Sequence, residues 1–151
     1  MDQNLRELYQ EIILDHSRHP RHFGALESAN HVAEGHNPLC GDRVKVYLRV
    51  DANNRITDVS FEGRGCAISV ASASLMTDLL KGRSIAEAEK LMGGFLHMVK
   101  GEDAPSLPAD DREQLEVMAG VSAFPMRVKC ATLAWHAMKA ALENEGMAKT
   151  E

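Results

Sequence analysis

Arg43-Val44-Lys45-Val46-Tyr47-Leu48-Arg49-Val50, the turn residues Asp51-Ala52-Asn53-Asn54, and then Ile56-Thr57-Asp58-Val59-Ser60-Phe61-Glu62 form the stretch that sets the architecture. In the first run Val44, Val46, Leu48 and Val50 point one way, and Arg43, Lys45, Tyr47 and Arg49 the other. Strict alternation of this kind belongs to a strand with one buried face. The second run alternates likewise, with Thr57, Val59 and Phe61 on one face and Asp58, Ser60 and Glu62 on the other. The turn between them is too short for a crossover, so the two strands pair antiparallel.

Beyond this hairpin the periodicity changes. Gly63-Arg64-Gly65 breaks the second strand, and a helix is expected over about 66–81. It is rich in small residues (Ala67, Ser69, Ala71, Ser72, Ala73, Ser74) that let another element approach closely. Gly82 ends it. Ser84 and Glu87 form a capping box for a helix over 85–92. Gly93-Gly94 reads as an interruption before a further helical turn at 95–100. Residues 101–110 are loop by composition, followed by a helix near 111–118. Pro125 suits the first turn of a last helix, which runs to about 144 with Val128, Ala131, Thr132, Trp135, Met138 and Leu142 on one face. Residues 145–151 are expected to fray. Towards the N-terminus, residues 25–41 are mixed, with a short strand near His31–Ala33. Residues 4–17 form an amphipathic helix on Leu5, Leu8, Tyr9, Ile12 and Ile13, with Asn4 and Glu7 as a capping signal. The fold class is α+β: a small antiparallel sheet with helices packed on one face, in a single domain spanning 1–151.

A chain of 151 residues can bury a real core. Aromatics make up 5% and there are 8 Met, so that core is aliphatic and Met-rich. With 17 Lys and Arg against 22 Asp and Glu, the net charge of −5 argues against a nucleic-acid partner. The first residues, Met1-Asp2-Gln3-Asn4-Leu5-Arg6-Glu7, are acidic and polar where a secretory signal would be basic and then apolar. No apolar run approaches the roughly 18 residues of a membrane span. A cytoplasmic protein with no membrane partner is expected, its thiols reduced.

The chain has 3 cysteines. Cys40 opens Cys40-Gly41-Asp42, Cys66 follows Gly63-Arg64-Gly65 at a helix mouth, and Cys130 follows Arg127-Val128-Lys129 early in the last helix. With Asp42 they offer three sulfurs and a carboxylate, a full tetrahedral set for zinc. Helix N-termini favour thiolate at Cys66 and Cys130, and Arg127 and Lys129 add positive charge. No Cys-x2-Cys pair exists, so no local knuckle can form. Spacing alone leaves three readings open: a metal site, thiols that carry sulfur or hold an iron–sulfur cluster, or three buried free cysteines. The histidines of the His16, His19 and His22 group read as structural, and His36 is the one histidine placed to serve as an accessory ligand. The Met residues read as core.

Taken together, Asn37-Pro38-Leu39-Cys40-Gly41-Asp42, Phe61-Glu62-Gly63-Arg64-Gly65-Cys66-Ala67-Ile68-Ser69 and Phe124-Pro125-Met126-Arg127-Val128-Lys129-Cys130-Ala131-Thr132-Leu133 resemble the IscU/NifU N-terminal family of iron–sulfur cluster assembly proteins. They are most similar to its SufU branch. The segments Leu8-Tyr9 to His19-Pro20-Arg21 and Ala71 to Thr77 resemble it too, so the likeness runs from about residue 5 to 143. It implies a three-stranded sheet with a metal site at one end. It also implies a pyridoxal-phosphate cysteine desulfurase of the SufS type as sulfur donor, and iron–sulfur assembly proteins downstream. In the IscU branch a histidine stands just before the last cysteine; here that position is Lys129. The stretch between Gly93 and Phe124 is also longer than in that branch.

Both departures point to SufU. There the matching residues Cys40, Asp42, Cys66 and Cys130 hold Zn²⁺, and Cys40 takes sulfur from the desulfurase persulfide once a partner histidine has replaced it on the metal. Arg127 occupies the slot of an arginine that orients Asp42 or the departing thiolate. The expected function is therefore a zinc-dependent sulfur acceptor. The alternative is a scaffold assembling a [2Fe–2S] cluster, or holding iron, on the same residues.

Overall fold

The computed structural model describes residues 3–39, 41–105, 107–144 and 146–149. In chain order the elements are α1 (Gln3–Arg18), β1 (His31–Asn37), β2 (Asp42–Val50), β3 (Ile56–Arg64), α2 (Ala67–Leu80), α3 (Ile85–Val99), α4 (Ala109–Leu115), a 3-10 segment (Glu116–Ala123), α5 (Pro125–Leu142) and β4 (Met147–Lys149).

The hairpin that sets the architecture forms as the alternation demands. β2 and β3 pair antiparallel, with Val46 opposite Phe61 and Leu48 opposite Val59, and all four side chains are buried. Asp51 holds the turn by accepting the Asn53 and Arg55 amides at Oδ1 (2.9 and 3.0 Å). β1 adds to the other side of β2, also antiparallel, completing the three-stranded antiparallel sheet.

Two sequence expectations are corrected here. β1 continues past Ala33 to Asn37. Its buried positions Ala33, Gly35 and Asn37 do alternate, but a glycine and an asparagine carry no hydrophobic signal. Residues 147–149, expected to fray, instead pair parallel with β1, Glu34 opposite Met147 and His36 opposite Lys149. The Glu34 amide donates to the Gly146 carbonyl at 3.0 Å, so this strand covers part of an otherwise open sheet edge.

α5 lies against β1 and β2, while α2 lies against β3 and α5. α5 is buried nearly all round rather than on one face, from Cys130 through Trp135 and at Ala137, Met138, Ala140 and Ala141. The small residues of α2 make this possible: Ala71, Ser72 and Ala73 are buried where α5 packs. Ser72 Oγ donates to the Ala131 carbonyl and accepts from Trp135 Nε1 at 3.2 Å, and the Trp135 ring stacks on Phe95 at 4.8 Å. Trp135, Phe95 and Phe61 thus supply the large rings of a core cluster otherwise built from Leu, Val, Ile, Ala and Met.

α3 runs through Gly93 and Gly94 without a break. The absent side chain at Gly94 serves packing: a Cβ there would collide with Leu107. The Ser84–Glu87 capping box forms in both directions, at 3.1 Å each. The helix expected near 111–118 is displaced to Ala109–Leu115 and tightens into the 3-10 segment. α1 begins at Gln3, which places Asn4 inside the helix rather than at its cap.

Candidate metal and thiol centre

Asp42, Cys66 and Cys130 come from three different elements and converge at one end of the sheet. One ligand atom from each lies within 4.8 Å of the other two. Thiolate bonds to zinc of about 2.3 Å would set tetrahedral donors roughly 3.8 Å apart, so the cluster needs little adjustment to hold such an ion. Asp42 and Cys130 are each 1% exposed, and Cys66 is half-buried. Were both thiols deprotonated, they and the carboxylate, gathered out of water, would repel one another unless a cation joined them. The donor set therefore fits a soft divalent metal.

The local sequence explains the placement. Asp42 opens β2 directly after Gly41, whose φ of +76° turns the chain into the strand. Asn37 ends β1 opposite Asp42, and the loop between them is closed by the Gly41 amide donating to the Asn37 carbonyl (2.9 Å). The Leu39 amide donates to Asn37 Oδ1 (3.1 Å). Across the sheet, Cys66 caps α2 at its N-terminus after Gly65. The Cys66 amide donates to Asp42 Oδ1 at 2.9 Å, and its Sγ lies 3.7 Å from Oδ2. Gly65 has φ +156°, and a Cβ there would collide with the Asp42 carboxylate. Pro125 starts α5 at its first turn, and Cys130 follows just inside the helix, facing the core.

Cys40 lies outside the described residues. Its sequence neighbours Leu39 and Gly41 lie between the end of β1 and the start of β2. Arg127 is exposed on the first turn of α5, and among the described residues its guanidinium makes no ion pair. Lys129 is half-buried next to Cys130. His36 lies on the outer face of the sheet opposite Arg43 and is not in the cluster. His16 is buried and pairs through Nδ1 with Ser74 Oγ at 2.7 Å, while His22 Nδ1 reaches Thr77 Oγ1 at 3.1 Å. Both tie the start of the chain to α2, the structural role expected for them.

Two contributors were missed from sequence. Gly65 was read as a strand breaker, when its lack of a side chain also makes room for Asp42. Asn37 is fully buried, and among the described residues its Nδ2 has no hydrogen-bond partner. A buried donor left over beside an anion-rich centre is a further feature that suits a thiolate site.

The NifU-like N-terminal domain profile matches residues 8–131, most of the chain including Cys40, Asp42, Cys66 and Cys130. The chain belongs to the NifU-like N-terminal domain family. Within it, the chain is 40% identical over 148 residues to the zinc-dependent sulfurtransferase SufU of Bacillus subtilis, covering 98% of this chain and 95% of that one. It is also 40% identical over 145 residues to the iron–sulfur cluster assembly scaffold protein IscU of Streptococcus pyogenes, covering 96% and 89%. Among solved structures, the SUF-system protein FiSufU of Fervidobacterium islandicum superposes with a TM-score of 0.77 at 36% identity, covering 93% of this chain and 99% of that one. The resemblance read from the three cysteine segments therefore holds, both in sequence and in fold. Relatives named for transfer and for scaffolding match equally well, so family membership alone does not choose between the two roles.

Proposed function

We propose that this protein is a sulfur acceptor of iron–sulfur cluster assembly, taking persulfide sulfur onto Cys40 from a cysteine desulfurase of the SufS type. The single observation that carries the reading is the convergence of Asp42, Cys66 and Cys130 within 4.8 Å, with Cys40 two residues before Asp42 in the sequence. Asp42, Cys66 and Cys130 would hold zinc, with Cys40 as the fourth ligand. Bound zinc would keep the thiols deprotonated and shield them from oxidation. The substitution of Lys129 for a scaffold-type histidine favours transfer over cluster building, because it leaves one fewer ligand for iron.

The chemistry conserves electrons. The Cys40 thiolate attacks the outer sulfur of the donor's cysteine persulfide. A sulfur–sulfur bond forms to Cys40 as the donor's own sulfur–sulfur bond breaks, and the donor cysteine leaves as a thiolate that takes up a proton. Asp42 and Cys66 hold the frame while Cys40 moves: the Asp42 carboxylate is pinned to the α2 N-terminus by the Cys66 amide. Leu39, 59% exposed, places this loop at the surface where a partner can reach it.

The test combines metal analysis with persulfide mapping. Protein purified in air should be colourless and contain close to one zinc per chain, and incubation with desulfurase and cysteine should put a persulfide on Cys40. Cys40→Ala should lose sulfur acceptance. A Cys40→Ala variant that still accepts sulfur at the parent rate sinks the reading. A stable reconstituted cluster that passes intact to an apo-acceptor would establish the scaffold role instead.

A further inference from the structure

At the end of the sheet that carries Asp42, the outer face presents a row of three basic side chains. His36, Arg43 and Arg64 stand directly opposite one another across β1, β2 and β3. Like charges facing each other across strands are unfavourable. Among the described residues, neither arginine has an ion-pair partner, and both are exposed. The next row, Glu34–Lys45–Glu62, sets Lys45 between two carboxylates and carries a net charge of −1. Glu62 is further engaged by the Tyr47 hydroxyl, a hydrogen bond that pushes the Tyr47 pKa up to about 12. Arg43 and Arg64, with Lys45, outnumber Glu34 and Glu62 on this face by three charges to two, a local excess of positive charge on a chain whose net charge is −5.

Its position gives it meaning. His36 and Arg43 each lie one residue from Asn37 and Asp42, and Arg64 lies two residues before Cys66. A cleft of about 430 Å³ opens over both rows, from His36, Arg43 and Arg64 to Glu34, Lys45 and Glu62, with Phe23 at its margin. Phe23 is 54% exposed and meets the buried Phe61 ring edge-on at 5.3 Å, which fixes an apolar side chain at the edge of the charged row.

We propose that the His36–Arg43–Arg64 row, with Phe23 at its margin, docks an acidic surface of the sulfur-donating desulfurase. This rests on the sulfur-acceptor reading above. Sulfur passes only when donor and acceptor sulfurs touch, so the donor must cover the surface next to the Cys40 loop. Unpaired cations there attract an acidic partner and speed its encounter.

The experiment measures desulfurase affinity and sulfur-transfer kinetics for the parent and the Arg43→Gln/Arg64→Gln variant at several salt concentrations. Zinc content and unfolding midpoint, unchanged in the variant, show that the fold and the centre are intact. At low salt the variant should bind about tenfold more weakly and show a KM raised to match, with kcat within about twofold of the parent. The gap should close as salt is raised and the charges are screened. Equal affinities at low salt overturn the proposal, as does a loss that is independent of salt. Binding of a polyanion such as heparin through these arginines, with desulfurase affinity untouched, also overturns it. A parent that binds the desulfurase in this salt-dependent way but accepts no sulfur would overturn the acceptor reading and leave the docking surface standing.

Discussion

Gly65 shows how much one missing methyl group controls. Its φ of +156° and the Asp42 carboxylate packed against its Cα leave no space for a side chain. Gly65→Ala should therefore act on the centre as well as on the backbone. Strain of this kind costs about 1–3 kcal/mol, and displacing a metal-orienting contact weakens metal affinity by roughly 10–100-fold. Chelator competition and urea unfolding would read the two effects separately; zinc affinity equal to the parent's would show that Asp42 does not depend on this cradle. His16 offers a pH-dependent counterpart. Burial holds its pKa below the ordinary histidine range, the nearby Arg21 adds to this, and Asp78 and Asp15 oppose it. The folded state therefore binds fewer protons than the unfolded chain in this range. Its contribution is full above the unfolded pKa of about 6.5 and is lost as pH falls through the lowered folded value. Urea midpoints for the parent should fall more steeply between about pH 7 and 5 than those of His16→Asn, and parallel curves would assign the acid sensitivity to other groups.

At the scale of elements, the docking of α1 and the Arg21–Gly24 segment onto the rest depends on Ser74. Its hydroxyl accepts the Arg21 amide at 2.8 Å and pairs with His16 at 2.7 Å. Ser74→Ala leaves both buried groups without a partner, which should cost about 1–3 kcal/mol, measured as a lower urea midpoint with unchanged sulfur acceptance. The sequence made much of this level legible. The hairpin, the α2 small-residue face, the capping box at Ser84 and the α5 start at Pro125 each follow from local rules that the tertiary structure does not override. What was not legible shares one cause. Gly35, Gly65 and Gly94 carry no side chain to announce a role, and each is defined by a neighbour far along the chain: Leu133, Asp42 and Leu107. β4 is short, and it forms because β1 offers it an edge. The metal-capable cluster was legible for a different reason. Three cysteines in distinctive settings signal chemistry even where spacing cannot show that they meet.

At the scale of the molecule, the centre joins β2, α2 and α5, so a metal bound there would link its binding to folding. An ion that binds the folded chain alone stabilises it by roughly 2.7 kcal/mol at a free concentration a hundred times its dissociation constant. Adding zinc to metal-stripped protein should raise the melting temperature by several degrees, and Cys66→Ser or Cys130→Ser should abolish that increment. A melting temperature indifferent to zinc in the parent would show that the three donors do not bind it together. No described helix is long and apolar enough to cross a membrane.

The separation of the donors along the chain has a consequence for the order of events during synthesis. Asp42 and Cys66 emerge early, but Cys130 sits on the last helix. A partly made or truncated chain carries the first thiols without the geometry to grip an ion. A metal held by all three donors would therefore have to wait until the final helix is seated, and its uptake would report that this helix has docked.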